Sequence, residues 1–231
     1  MSIAGYIKES IEKSSWIRKM FEEGIKLKAQ FGDENVFDFS LGNPDLDPPA
    51  KFFEVLRALS HEGKKGVHGY MPNAGYTDVR KAIAVKVSKE QGITVPPENI
   101  VMTCGAAGGL NAVLKTILNP GDEVVVSKPY FVEYNFYIAN HNGVTKLAES
   151  NPDFSLNIEN IRKGITGKTR AILINSPNNP TGRVYPEMLI RELSDMLESF
   201  HKKGQTIYLV SDEPYKEIVY DNITVPGTMK G

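Results

Sequence analysis

Apolar residues recur at close to helical spacing between residues 8 and 30, where Ile11, Trp16, Ile17, Met20, Phe21 and Ile25 would share one face of an amphipathic helix. A turn-rich stretch from Ser40 to Pro49 (SLGNPDLDPP) ends that pattern. Helical spacing resumes over about 50–61 and again over about 76–90, with a glycine-containing loop from Tyr70 to Gly75 between them. From Asn99 onward the period changes. Short apolar runs at 99–103, 122–127, 144–148, 170–175 and 206–211 read as strands. Helical segments near 107–118, 129–140, 157–164 and 186–203 separate them, each opening close to a Gly, Pro or Asn breaker. Strands that alternate with helices predict an α/β fold: a doubly wound, mostly parallel sheet, here of five strands. No internal repeat, low-complexity tract or Ser/Gly linker interrupts the region. The expected organisation is therefore an N-terminal arm over 1–34 and one large domain over 35–231.

Composition narrows the function classes. A chain of 231 residues with 41% hydrophobic content can bury a sizeable core. Lys and Arg total 27 against 28 Asp and Glu, a net charge of -1, and no segment concentrates basic residues with aromatics, so nucleic acid is not an expected partner. No apolar run approaches the roughly 20 residues that span a bilayer. The opening MSIAGYIKESIEK mixes charged with apolar residues, unlike a signal-peptide core, so no membrane partner is expected and the expected compartment is cytoplasmic. The single cysteine, Cys104, allows no internal disulfide. His61, His68, His141 and His201 show no paired ligand spacing, and no metal is expected.

In open α/β sheets ligands collect at the carboxyl ends of the strands, and four of those ends carry unusual residues. Thr103 to Gly109 (TCGAAGG) is a small-residue turn entering a helix, where backbone N–H groups could approach a phosphate. A strand-to-helix turn that merely needs glycine accounts for it equally well. It fits neither G-x-G-x-x-G nor the P-loop pattern. Pro129 to Tyr134 (PYFVEY) puts aromatic rings just after a strand, able either to stack on a planar ring or to pack the start of a helix. Asn175 to Gly182 (NSPNNPTG) carries two prolines within four residues, more than an ordinary Asx turn requires, and could aim amides at a ligand. Ser211 to Lys216 (SDEPYK) delivers an acid to the sheet edge, where it is either partly desolvated or simply a solvated loop residue.

Taken in order, these segments resemble the pyridoxal-phosphate (PLP) dependent aminotransferases of class I/II, fold type I, of the aspartate aminotransferase kind. The resemblance is carried by Gly105 to Ala107, Phe131, Asn179-Pro180-Thr181-Gly182 and Asp212-x-x-Tyr215. Gly42-Asn43-Pro44-Asp45 and Tyr70-x-Pro72-x-Ala74-Gly75 extend it over nearly the whole chain. It implies that Asp212 bonds the pyridine nitrogen of PLP and that Asn179 and Tyr215 bond its phenolic oxygen. It further implies that Phe131 stacks on the ring, that Gly105, Ala106 and Ala107 hold the phosphate, and that Gly42 and Asn179 lie by the substrate carboxylate. Tyr70 matches the tyrosine that reaches the phosphate of a neighbouring subunit, which implies a homodimer with shared sites. The implied reaction moves an amino group between an amino acid and a 2-oxo acid.

Two departures qualify the resemblance. Ala106 and Ala107 offer the phosphate no hydroxyl or ammonium, where many relatives have Ser, Thr or Lys. The lysine to which the family attaches PLP follows the Asp-x-x-Tyr element on a later strand, and Lys128, in the only Ser-Lys pair, lies on the wrong strand and reads as a surface lysine. The large domain is accordingly expected to be incomplete at its C-terminus, the small domain largely absent, and the chain inactive alone. Competing expectations are a PLP-dependent carbon–sulfur lyase of the same fold, which shares every residue named here, and a non-catalytic fragment. A nicotinamide-dependent dehydrogenase is disfavoured by the missing glycine fingerprint.

Overall fold

The computed structural model describes residues 3–39, 42, 46–61, 63, 66 and 69–229, without the side chains of residues 10 and 12–18. Trp16 and Ile17 of the expected helix face, and Asn43, Pro44, Asp45 and His68, fall outside what is described. Two compact units divide the chain, Met1–Gly69 and Tyr70–Gly231, and the boundary expected at 34/35 lies within the first.

The first unit holds helix α1 (Gly5–Phe31), a 3-10 turn at Asp33–Asn35 and helix α2 (Ala50–Ser60). Gly32, in the left-handed region at φ 86°, ends α1 by donating its N–H to the Lys28 carbonyl at 2.9 Å. Among the described residues this unit buries no apolar side chain, and Phe21, Ile25, Phe52 and Leu56 are all exposed.

The second unit contains helix α3 (Thr77–Gln91), a 3-10 turn at Pro97–Asn99, helix α4 (Gly105–Ile117), strand β1 (Glu123–Lys128), helix α5 (Tyr134–Ala139), strand β2 (Val144–Glu149), helix α6 (Ile158–Gly164), strand β3 (Thr169–Asn175), helix α7 (Glu187–His201) and strand β4 (Tyr208–Asp212). The strands pair in parallel in the order β2-β1-β3-β4. Alternate residues of β1 and β3 feed opposite faces, as the two-residue period requires. Val124, Val126, Ala171 and Leu173 join Leu110 and Leu114 of α4 and Tyr134 and Ile138 of α5. Val125, Ile172 and Ile174 join Ile161 of α6 and Leu193 and Met196 of α7. Helices on both faces explain why β1 and β3 read as continuous apolar runs. β1 leads through α5 to β2 on one side, whereas β3 leads through α7 to β4 on the other. The sheet is therefore doubly wound, with its switch point between the carboxyl ends of β1 and β3.

Two expectations need correction. The run at 99–103 is not a strand: Ile100 has extended backbone, but the segment forms no ladder, its one backbone bond to a distant segment being Met102 N–H to the Ala74 carbonyl at 3.0 Å. Extended geometry becomes a strand only where a neighbour supplies partners, and the described sheet has four strands, not five. The helix expected over 129–140 begins only at Tyr134, because Pro129 to Glu133 cross the end of β1 in turns. Among the described residues no helix is long and apolar enough to cross a membrane. None of them forms a group of three His, Cys, Asp or Glu that could hold a metal.

The core assignment gives a direct check on α7. Leu193 is fully buried whereas Met188 on the same helix is 72% exposed. Leu193→Ala is expected to cost about 2–5 kcal/mol in urea unfolding and Met188→Ala no more than about 0.5 kcal/mol. Equal effects would contradict the packing.

Candidate active site

The last residue of β3, Asn175, and the last of β4, Asp212, are register partners. Asn175 is buried, so both ends of its amide must find partners. Its Nδ2 donates to the Asp212 backbone carbonyl at 2.9 Å, and its Oδ1 accepts from the Asn179 N–H at 2.6 Å. One side chain thus ties the end of β4 to the loop that leaves β3. Asn178, also buried, does the same within the loop. Its Oδ1 accepts from Thr181 N–H at 3.2 Å and Thr181 Oγ1 at 2.8 Å, and its Nδ2 donates to the Pro129 carbonyl, beyond β1, at 3.4 Å. Gly182 takes φ 70° and returns its N–H to the Asn178 carbonyl at 2.7 Å. Asn suits these positions because its amide offers a donor and an acceptor on separate atoms, so one side chain can bridge two backbone groups.

On this frame sits the Asp212 side chain. Tyr134, at the start of α5, is buried and donates its hydroxyl to Asp212 Oδ2 at 2.6 Å. The Phe131 ring meets Tyr134 edge-on, with centroids 5.6 Å apart at 85°. The Tyr137 ring is tilted against Tyr134, with centroids 6.4 Å apart. Burial pushes the Asp212 pKa above the usual carboxylate range; the Tyr134 hydrogen bond opposes that rise and the Glu213 charge adds to it. Burial and then the Asp212 hydrogen bond push the Tyr134 phenol far upward, so it stays protonated and remains the donor. No described residue donates to Asp212 Oδ1. The site is thus a half-buried carboxylate held through one oxygen by Tyr134, suited to a cationic N–H.

Asn179 Nδ2 donates to Tyr215 Oη at 3.3 Å, so two hydrogen-bonding groups converge beside Asp212. The structure therefore brings Phe131, Asn179, Asp212 and Tyr215 into one cluster. Gly105, Ala106 and Ala107 open α4, are exposed, and make no hydrogen bond or ring contact to that cluster. Gly105 adopts φ 68°, which favours glycine, and no side chain caps the helix. Its own N–H is spent on the Thr103 carbonyl at 2.9 Å. Tyr70 is fully exposed, and Gly42, also exposed, belongs to the first unit with open space where a Cβ would stand. Lys128 pairs with Glu149 of β2. Sequence reasoning gave no role to Tyr134 or Asn175. The available signal was the three-residue spacing of Phe131 and Tyr134, which puts both rings on one side of the loop-to-helix turn.

Comparison with known proteins identifies the family. Residues 34–230 match the family described as aminotransferase class I and II. A probable aspartate/prephenate aminotransferase of Thermus aquaticus is 38% identical over 191 residues, covering 81% of this chain and 48% of that protein. A probable aspartate aminotransferase of Methanocaldococcus jannaschii is 32% identical, covering 90% and 52%. Among solved structures, an amino transferase of Eubacterium rectale superposes on all of this chain with a TM-score of 0.93 at 35% identity, 59% of its own length being covered. Aspartate aminotransferase of Thermus thermophilus with maleate covers 98% of this chain at a TM-score of 0.82 and 32% identity, with 57% of its own length covered. The chain spans about half the length of the curated relatives it matches. With a match over residues 34–230, the chain belongs to the class I and II aminotransferase family.

Proposed function

We propose that this chain supplies the cofactor-gripping part of an aminotransferase that uses PLP to move an amino group from an amino acid to a 2-oxo acid. Aspartate is the donor that the names of the relatives favour. The observation that carries the reading is the Asp212 carboxylate, half withdrawn from water, with Tyr134 on one oxygen and the other unfilled. That arrangement fits a protonated pyridine nitrogen, whose charge would offset the cost of burying the anion. The Asn179–Tyr215 pair fits a phenolate oxygen, and Phe131 offers an aromatic face. The uncapped start of α4 fits a phosphate, held by main-chain N–H groups in place of the absent hydroxyl or ammonium.

When bound, PLP supplies an electron-withdrawing ring that makes the substrate's α-hydrogen acidic and carries the amino group between the two half-reactions. The residues of this chain would hold and orient that ring. Asp212 would accept a hydrogen bond from the protonated ring nitrogen. Tyr134, kept protonated, fixes the carboxylate's orientation and leaves its second oxygen free. Asn179 and Tyr215 set the tilt of the ring. We read Tyr70 as acting on the phosphate site of a second subunit: its ring is fully exposed in one chain, and the apolar residues exposed on α1 and α2 are suited to burial in a homodimer. Sedimentation of the intact protein at the mass of a single chain would contradict that part.

The test of the reaction is made on a protein joining this chain to the other half that its relatives possess. With PLP, aspartate and 2-oxoglutarate it is expected to form glutamate without releasing ammonia. Asp212→Ala is expected to cut turnover by several orders of magnitude, the scale of a lost charge-assisted interaction in the transition state. A variant retaining more than about a tenth of the activity would remove Asp212 from its role. For the 231-residue chain alone, the two lysines adjoining the site segments are engaged elsewhere, Lys128 with Glu149 and Lys216 with Glu90 and Glu213. Borohydride reduction in the presence of PLP is therefore expected to give only scattered, substoichiometric labelling by intact mass. A stoichiometric adduct mapped to one lysine would refute this.

A further inference from the structure

Next to Asp212 in the chain stands a second carboxylate with a network of its own. Glu213 Oε1 accepts from Ser211 Oγ at 2.8 Å and from Thr228 Oγ1 at 3.0 Å, while Oε2 meets the Lys216 ammonium at 3.3 Å. Lys216 also reaches Glu90 of α3 at 3.5 Å. The segment that delivers Thr228 is itself fixed: Met229 N–H donates to Gln91 Oε1 at 3.1 Å, and at Gly227 a Cβ would stand 2.6 Å from that same oxygen. Glu90 has another cation, since Lys86 lies 3.4 Å from its Oε1. Glu213 has none: among the described residues Lys216 is its one ion-pair partner. The side chains of Lys216 and Glu213 are only 17% and 19% exposed, so their attraction is screened far less than that of the surface pairs on the helices.

We propose that Lys216 is a positioning residue for Asp212, cancelling the charge of Glu213 so that the negative charge at the end of β4 is concentrated on the carboxylate that faces the cofactor. Lys216 acts through Glu213 and bonds to nothing else in the site. Removing the lysine leaves the Glu213 carboxylate with its two hydroxyl donors but without its counterion. The titratable groups that act on Asp212 or feel its charge are Tyr134 and Tyr137 from α5 and Glu213, and among the described residues no cation pairs with it directly. The Glu213 charge already pushes the Asp212 pKa upward, and that effect grows when its counterion is lost. By cancelling that charge, Lys216 keeps Asp212 ionised to lower pH.

The inference rests on Asp212 as partner of the ring nitrogen, but its test needs no cofactor, so its failure would leave the proposed function standing. Carbon-13 NMR of the chain labelled at aspartate carboxyl carbons, with Asp212→Asn used for assignment, reads the Asp212 midpoint directly. Lys216→Gln is expected to raise that midpoint by about half a pH unit or more, and Lys216→Arg to restore it. Glu213→Gln is expected to lower it, and Lys216→Gln added to Glu213→Gln to have no further effect. An unchanged midpoint in Lys216→Gln, or a shift that persists without Glu213, would overturn the proposal. Should Lys216→Gln not fold, Glu213→Gln decides: no downward movement overturns it.

Discussion

A carboxylate drawn partly out of water and given one hydrogen-bond donor is costly as an anion until a cation meets it, and much of the second unit holds Asp212 in that condition. The hold begins in the sheet. Val210 packs against the cluster that contains Tyr134, whereas Leu209 packs against the opposite one. Two residues beyond Val210, Asp212 faces the same side, where the Tyr134 hydroxyl waits. A slip of β4 by one residue would send the carboxylate to the other face. The pairing of Asn175 with Asp212, reinforced by the Asn175 amide, stands against that slip.

The topology explains why the remaining groups gather at the same edge. With parallel strands all carboxyl ends lie together, and the reversal of winding between β1 and β3 leaves a crevice that no crossover helix covers. The loops leaving β1, β3 and β4 meet there, joined by the Asn178 bond to Pro129 and the Asn179 bond to Tyr215. Each buried amide in these loops is satisfied on both sides. Asp212 is held differently, by one donor on a half-buried carboxylate.

The strands β1 to β4 are legible in the sequence to within two residues because helices on both faces make them uninterrupted apolar runs bounded by breakers. The segment 99–103 has the same pattern but no partner, and apolar pattern alone cannot supply one. The site residues were legible as residue types at strand ends. Their connections were not: Tyr134 meets Asp212 across 78 positions, and Lys216, in the turn after β4, meets Glu90 of α3, distances over which local spacing carries no information. Asn175 read as part of a turn because its bond to the end of β4 depends on register, which emerges only when the strands pair.

The claim that Asp212 is built to meet a protonated ring nitrogen has a direct spectroscopic test. PLP labelled with nitrogen-15 in the ring, bound to the chain at pH 8, reports the protonation of that nitrogen through its chemical shift. The structure predicts a protonated, carboxylate-bonded nitrogen in the wild type and its loss in Asp212→Asn, whose amide keeps the shape but not the charge. An unprotonated nitrogen in the wild-type complex, or the same shift in both proteins, would contradict the account.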